Sequence, residues 1–181
     1  WHDVSTSRLV AFPGFADSLS AEYGAGTFQA FGEIGYRIDA PGVSIEPFAN
    51  LAYVNFRADG FTETGGASAL ASGGRSNDTM FTTLGIRAST AFDLAGMKMT
   101  AHGTLGWRHA HGDVVPTSSH VFAGGSAFTV AGAPIASDVA VIEAGLDFAI
   151  SDRATLGLSY AGQFGNGARD GMAKGGLRIR F

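Results

Sequence analysis

From residue 27 onward the chain alternates apolar and polar positions with a period of two. In 172–181, Ala173, Gly175, Leu177, Ile179 and Phe181 fall on one face, and Met172, Lys174, Gly176, Arg178 and Arg180 on the other. Successive strand side chains point to opposite faces, so this segment reads as a strand with one apolar and one basic face. A helix would scatter the same residues around its circumference. The pattern recurs upstream. In 154–165, Leu156, Leu158, Tyr160 and Phe164 oppose Thr155, Ser159 and Gln163; in 140–150, Ile142, Leu146 and Phe148 oppose Glu143 and Asp147. In 97–108, Met97, Met99, Leu105 and Trp107 oppose Lys98, His102 and Arg108; in 80–93, Leu84, Ile86 and Phe92 oppose Thr83 and Arg87. In 43–53, Ile45, Leu51 and Tyr53 oppose Glu46 and Asn50, with Phe48 out of pattern; in 27–38, Phe28, Ile34 and Tyr36 oppose Gln29, Glu33 and Arg37, with Phe31 out of pattern. An eighth segment, 1–11, alternates poorly.

The connections have their own rhythm. Asp39-Ala40-Pro41-Gly42, Leu94-Ala95-Gly96 and Ser151-Asp152-Arg153 are tight and carry turn residues. Between them lie longer Gly/Ser/Ala-rich links at 12–25, 58–77 and 112–138, and an intermediate one at 166–171. Short turns at one end and longer loops at the other mark a transmembrane barrel. Segments of roughly 10 to 14 residues meet the ~9–11 that a tilted strand needs to cross a bilayer. A soluble β-sandwich alternates too, with its apolar face inside and its polar face solvated. Here the polar face is mixed with Gly, Ser, Thr and Ala and holds few charges, which suits a confined lumen where opposite charges pair. The two readings part on one point: a barrel leaves Leu156, Leu158, Leu177 and Ile179 exposed outside, a sandwich buries them.

Composition agrees with the barrel. Charged residues make up 15% of 181 positions, against roughly 25% in soluble domains. Glycine fills 27 positions with only 5 prolines, which fits many short β elements and close strand approaches. There is no cysteine, hence no disulfide or thiolate site. A net charge of −4 without a basic block argues against nucleic acid as a partner. No apolar run reaches the ~18 residues of a membrane helix. The N-terminus lacks the basic-then-apolar pattern of a signal peptide, so an exported protein would be represented by its mature chain or a piece of it.

Taken in order, FQAFGEIGYRI (28–38), IEPFANLAYVNF (45–56) with FTETGG (61–66), TLGIRAST (83–90), GTLGWRHAHGDVVP (103–116), FAGGSAFTVAGAPIA (122–136), VIEAGLDFAIS (141–151), LGLSYAGQFG (156–165) and the terminal LRIRF (177–181) are specific as a set. The chain resembles the autotransporter β-domain, the C-terminal translocator barrel of type V secretion systems, over nearly its whole length. The resemblance implies an all-β fold: an antiparallel up-and-down transmembrane β-barrel in the outer membrane of a Gram-negative bacterium. It implies a domain over 1–181 that anchors and helps export an N-terminal passenger. The family's barrel has twelve strands and about eight are present here, so the first four strands, the linker helix and the passenger are expected to be missing. A closed eight-stranded barrel would hold side chains but no aqueous pore. The alternative function is therefore a small structural or adhesive outer-membrane barrel with no transport role.

The candidate lumen-facing set is Glu33, Arg37, Glu46, Arg87, Lys98, Arg108, Glu143, Asp147, Lys174, Arg178 and Arg180. They either line a hydrated route for polypeptide or pair structurally to avoid bare buried charge. Tyr36, Tyr53, Trp107 and Tyr160 are candidate interface aromatics, joined by Phe181, since amphipathic rings favour headgroup level. Leu177, Ile179 and Phe181 resemble the C-terminal signal read by the barrel-assembly machinery; an amphipathic strand edge can add to another sheet. Partners expected are outer-membrane lipid, that machinery and the chain's own passenger.

No catalytic, cofactor or metal site emerges. His109 and His111 share a strand face but lack further ligands at suitable spacing, and should sit where the strand leaves the membrane beside Trp107. His2 with Asp3 and Ser5 reads as a polar strand end, and no G-x-S-x-G elbow sits between a strand and a helix. The domain is therefore expected not to be an enzyme. Link 112–138 is unusually apolar, and is expected to fold inward or form a hairpin that shields Phe122, Phe128 and Val130.

Overall fold

A computed structural model describes residues 1–180. The strands are β1 (His2–Phe12), β2 (Phe15–Gly35), β3 (Ile38–Ala40), β4 (Val43–Ala58), β5 (Phe61–Thr62), β6 (Leu70–Ser72), β7 (Arg75–Leu94), β8 (Met97–Gly112), β9 (Thr117–Phe122), β10 (Phe128–Ala131), β11 (Asp138–Ser151), β12 (Ala154–Gly165) and β13 (Ala168–Ile179). Eight long strands form one up-and-down antiparallel sheet, β1-β2-β4-β7-β8-β11-β12-β13, with β3 beside β4. The order has two ends, β1 and β13, each with one hydrogen-bonded neighbour among the described residues. The all-β, antiparallel, roughly eight-stranded fold is thus as expected from the alternation.

Two compact units divide the chain. The first takes Trp1–Ala30, Tyr53–Met80 and Gly112–Ile135; the second takes Phe31–Ala52, Phe81–His111 and everything described from Ala136 onward.

In the first unit β1 and β2 form a hairpin in continuous register, from His2↔Ala25 to Phe12↔Phe15, around Pro13-Gly14 with Gly14 at φ 88°. This corrects the expected link at 12–25, which is strand from Phe15. Many of its residues are small or polar, but they alternate: Leu19, Ala21 and Ala25 are buried while Ser18, Ser20 and Glu22 are exposed. Leu19 is 1% exposed and is the centre of this small core. The links 58–77 and 112–138 supply a second sheet, β10-β9-β6-β5. The β9–β10 hairpin expected in 112–138 is present, but Phe122, Phe128 and Val130 remain 39–47% exposed. Their shielding is therefore not found; Phe122 and Phe128 stack on each other with ring centroids 5.5 Å apart, and β9 gains β6 as its other neighbour.

The loop between β5 and β6 is clasped onto the β1–β2 hairpin. Arg8 donates to both Glu63 oxygens at 3.1 and 2.5 Å and to the Ser68 carbonyl at 2.9 Å, and Leu70 N–H donates to Glu63 at 2.9 Å. Ser68 N–H donates to Asp17 at 2.8 Å, and Ser20 and Thr64 exchange backbone bonds of 3.0 and 2.9 Å. Gly65 (φ 117°) and Gly66 make this approach possible: a Cβ on either would collide with the Ser18 carbonyl or the Asp17 carboxylate.

In the second unit β8, β11, β12 and β13 are in register over most of their length. Successive rows across the sheet read Met99, Phe148, Leu156, Leu177 and Ala101, Leu146, Leu158, Gly175 on one face. The opposite face reads His102, Gly145, Ser159, Lys174 and Thr104, Glu143, Ala161, Met172. Leu156, Leu158, Leu177 and Ile179 are 36–61% exposed. They are not in a dry core, which removes the sandwich reading. The expected intermediate link at 166–171 is also corrected: β13 begins at Ala168, after a turn with Gly167 at φ 81°.

Candidate functional site: the polar face of the sheet

The polar face of the second unit gathers most of the predicted ionisable residues. Arg87 on β7 donates to Glu33 on β2 at 2.7 and 2.9 Å and to Glu46 on β4 at 3.0 Å. Its guanidinium lies 3.8 Å from the centre of the Phe48 ring. Phe48, out of pattern in the sequence, is buried on this polar face because its ring occupies the space over Gly85 that a Cβ would fill. The cation over the ring and the two carboxylates thus form one cluster, a favourable arrangement of charge against a π face.

Arg37 pairs with Asp39 at 2.9 Å and donates to Ser44 at 2.8 Å, while the Ser44 hydroxyl donates to Asp39. Arg108 reaches Thr83 at 3.4 Å and Gln163 at 3.3 Å. Asp147 lies 3.8 Å from His102 Nδ1, and the His102 ring covers Gly145. Glu143 faces a cavity of about 310 Å³ shared with Arg37, Glu46, Arg87 and His102. Lys174 shares its row with Ser159, Gly145 and His102. Arg178 and Arg180 line a separate cavity of about 460 Å³ together with Lys98 and Arg153. The predicted set is therefore on one face but in several clusters, not one.

Leu177 and Ile179 stand on the apolar face opposite Leu156 and Ala154; Phe181 lies outside the described residues. Tyr36 is exposed between β2 and β3, its N–H donating to the Pro47 carbonyl. Tyr53 belongs to the first unit, where its ring is 6.3 Å from that of Phe28 and its hydroxyl donates to Asp78. The Tyr160 hydroxyl rests against Gly162 and Gly171. Trp107 Nε1 donates to Asp138 at 3.0 Å, and His109 Nδ1 lies 2.8 Å from the same oxygen. Strand β8 continues to Gly112, so Trp107, His109 and His111 lie in its last third. Among the described residues no three His, Asp or Glu side chains are grouped to hold a metal.

Sequence reasoning left several partners unassigned. Phe48 was visible as a break in alternation, and Gly85 as a small residue able to receive it. Glu63, Asp39 and Asp138 carried no signal, because each lies in a loop, a three-residue strand or a strand start where periodicity is silent.

Comparison with known proteins matches this arrangement. The model of the family described as "Autotransporter beta-domain" covers residues 1–161. Two curated relatives from Serratia marcescens, each named "Extracellular serine protease", are 37% identical over 182 residues, taking in 100% of this chain and 17% of theirs. The chain thus spans about one sixth of the length of the curated relatives it matches. A family match over most of the length, an up-and-down antiparallel sheet, and one exposed apolar face against one paired ionic face agree: the chain belongs to the autotransporter beta-domain family.

Proposed function

We propose that this chain is the membrane-embedded translocator of a longer exported protein, resident in the outer membrane of a Gram-negative bacterium. The observation that carries this reading is the exposed apolar face running through β8, β11, β12 and β13. An exposed apolar face of this extent is costly in water and favourable in hydrocarbon. With those side chains outward in lipid, Glu33, Arg37, Glu46, Arg87, Arg108, Glu143, Asp147, Lys174, Arg178 and Arg180 line the interior that a passenger crosses. Tyr36, Tyr53, Trp107 and Tyr160 act as interface anchors. The end of β13, with Leu177 and Ile179 outward, is the segment that the barrel-assembly machinery receives.

The domain itself carries out no chemistry and holds no cofactor. The protease activity for which the relatives are named belongs, in this reading, to a passenger.

The test uses the full-length precursor with an epitope tag upstream of Trp1. Outer-membrane fractionation places the barrel, and protease added to intact cells reports whether the tag reaches the surface. Surface exposure of the tag is expected. An assembled barrel with the tag held in the periplasm would leave an anchor without transport. Replacing Leu177 and Ile179 with Asp should lower the assembled fraction while leaving synthesis unchanged.

A further inference from the structure

Within the second unit the polar face changes character beside the Ala95-Gly96 and Asp152-Arg153 turns. Elsewhere on this face Arg87 is matched by Glu33 and Glu46 and Arg37 by Asp39, while Arg108 reaches only the neutral Thr83 and Gln163. Beside these turns Lys98, Arg153, Arg178 and Arg180 surround the cavity of about 460 Å³, and Asp152 is the single carboxylate of its lining. Among the described residues none of these four cations forms an ion pair.

The register explains the shape. Met99 pairs with Phe148, so Lys98 projects on the polar face beside Ala149; Ala149 pairs with Thr155, and Thr155 with Arg178. Three strand spacings put Lys98 and Arg178 about 14 Å apart, with only Ala149 and Thr155 between them. Arg180 stands two residues beyond Arg178, about 7 Å along the strand. A second cavity of about 420 Å³ shares Thr155 and Arg178 and extends past Gly176 to Lys174, with Asp147 over Gly157 and His102 at its far side. The result, beside the turns, is a trough floored by Ala149 and Thr155 with cations along its walls.

We propose that this trough docks an acidic polypeptide segment, whose aspartates and glutamates pair with Lys98, Arg153, Arg178 and Arg180. The proposal deepens the translocator reading and rests on it, since it takes the polar face as the one that meets polypeptide. Charge complementarity selects an anion, because like charges gathered without partners favour an opposite one. Spread selects a chain over a small anion: the cations come from β8, the β11–β12 turn and β13, and do not converge on one point. Between Lys98 and Arg178 the floor is Ala149 and Thr155, which leaves room for a backbone.

The experiment uses the full-length protein folded in detergent and two fluorescein-labelled twelve-residue peptides, one rich in Glu and one with Gln at the same positions. Fluorescence anisotropy should give the Glu peptide at least about tenfold tighter binding, weakening with salt as screening grows. The variant K98Q/R153Q/R178Q/R180Q should lose that preference, and R178Q/R180Q should lose about threefold; heat-modifiable gel mobility certifies that each is folded. R178E/R180E should shift preference toward a Lys-rich peptide. Equal affinity for the Glu and Gln peptides, or unchanged preference in the folded variants, would overturn the proposal, as would full displacement by millimolar inorganic phosphate. The two readings fail separately. Surface display of the passenger without peptide discrimination sinks the trough alone; discrimination without surface display sinks translocation alone.

Discussion

The two units use one alternation, but β2 in the first and β8, β11, β12 and β13 in the second leave different kinds of side chain exposed. In the first, Leu19, Ala21 and Ala25 of β2 turn inward, and Ser18, Ser20 and Glu22 are left to the surroundings. In the second, Ile142, Leu146, Leu158 and Leu177 are left to the surroundings, and the opposite face holds the Arg87–Glu33–Glu46 cluster. Alternation therefore identifies faces and is silent on the medium each face meets. Exposure then separates two stretches of sheet: the exposed positions of β2 from Ser18 to Glu22 are small or polar, whereas those of β8, β11, β12 and β13 are large and apolar, the face that the functional proposal assigns to lipid.

The sharpest way to break this contrast is a matched pair of substitutions. Leu158→Arg places a cation on the exposed apolar face and should cost about 2–4 kcal/mol of stability in a bilayer, the range for a charge at the midplane of a barrel's lipid face. Ser20→Arg places the same side chain on the exposed face of the first unit, where about 0.5 kcal/mol either way is expected. Guanidinium unfolding of protein inserted in vesicles measures both. Equal costs at the two sites would erase the distinction.

A smaller effect should follow from opening the clasp in the first unit. Glu63→Ala removes the partner of Arg8 and the acceptor for Leu70 N–H. Full loss of a buried pair runs to about 3–5 kcal/mol, but the Arg8 side chain is 36% exposed. Solvent takes over part of its charge, so about 1–2 kcal/mol is expected. The loss should appear as faster protease nicking between 61 and 70, with the second unit unaffected. Unchanged nicking would show that the glycine approach and the Ser20–Thr64 bridge hold the loop without the ion pair.

The same contact can be titrated. The Arg8 hydrogen bond holds the Glu63 carboxyl below its ordinary value, with help from Leu70 N–H and against the opposing effect of burial. A depressed folded pKa means that the contribution is fully present above the unfolded value, about 4.3. It is lost as pH falls through the lower folded value. Pepsin cleavage at 61–70 should therefore stay slow just under pH 4.3 and rise only at lower pH, whereas Glu63→Gln should show no such step. A step centred at or above the ordinary glutamate value would refute the pairing.

These contacts also mark how far the sequence could be read. The long strands from 27 onward were legible because period two is strong wherever a large apolar residue recurs, as at Leu156, Leu158 and Tyr160, whereas the short β5 and β6 and the start of β7 inside 58–77 read as a link. Period two also failed at 12–25, where Leu19, Ala21 and Ala25 face inward and Ser18, Ser20 and Glu22 outward: a single large residue among the buried positions looks like a loop, and pairing with β1 reveals the strand. At 166–171, Arg169 and Asp170 masked the start of β13 for the same reason. Parity grouped the ionic residues on one face of the strands, but it could not supply their partners, because pairing across strands needs register. Glu63 shows the limit most clearly, since its partner Arg8 is 55 residues away.

The smallest expected effect concerns Asp138, which accepts from Trp107 Nε1 at 3.0 Å and pairs with His109 at 2.8 Å. Asp138→Asn keeps an oxygen for one donor but removes the charge, and both groups are partly exposed, so about 0.5–1 kcal/mol is expected. Its use lies in what it frees. If Trp107 is an outward interface aromatic of the second unit, the indole should be quenched by brominated lipid and little by aqueous iodide, in a Trp1→Phe background that leaves it the single tryptophan. Releasing its N–H from Asp138 should then change the ratio of the two quenchers only modestly, because the ring is held at the interface by its own amphipathic character. Strong iodide quenching in the parent protein would put that face in water, and the lipid assignment of the whole apolar row from Trp107 to Phe164 would fall with it.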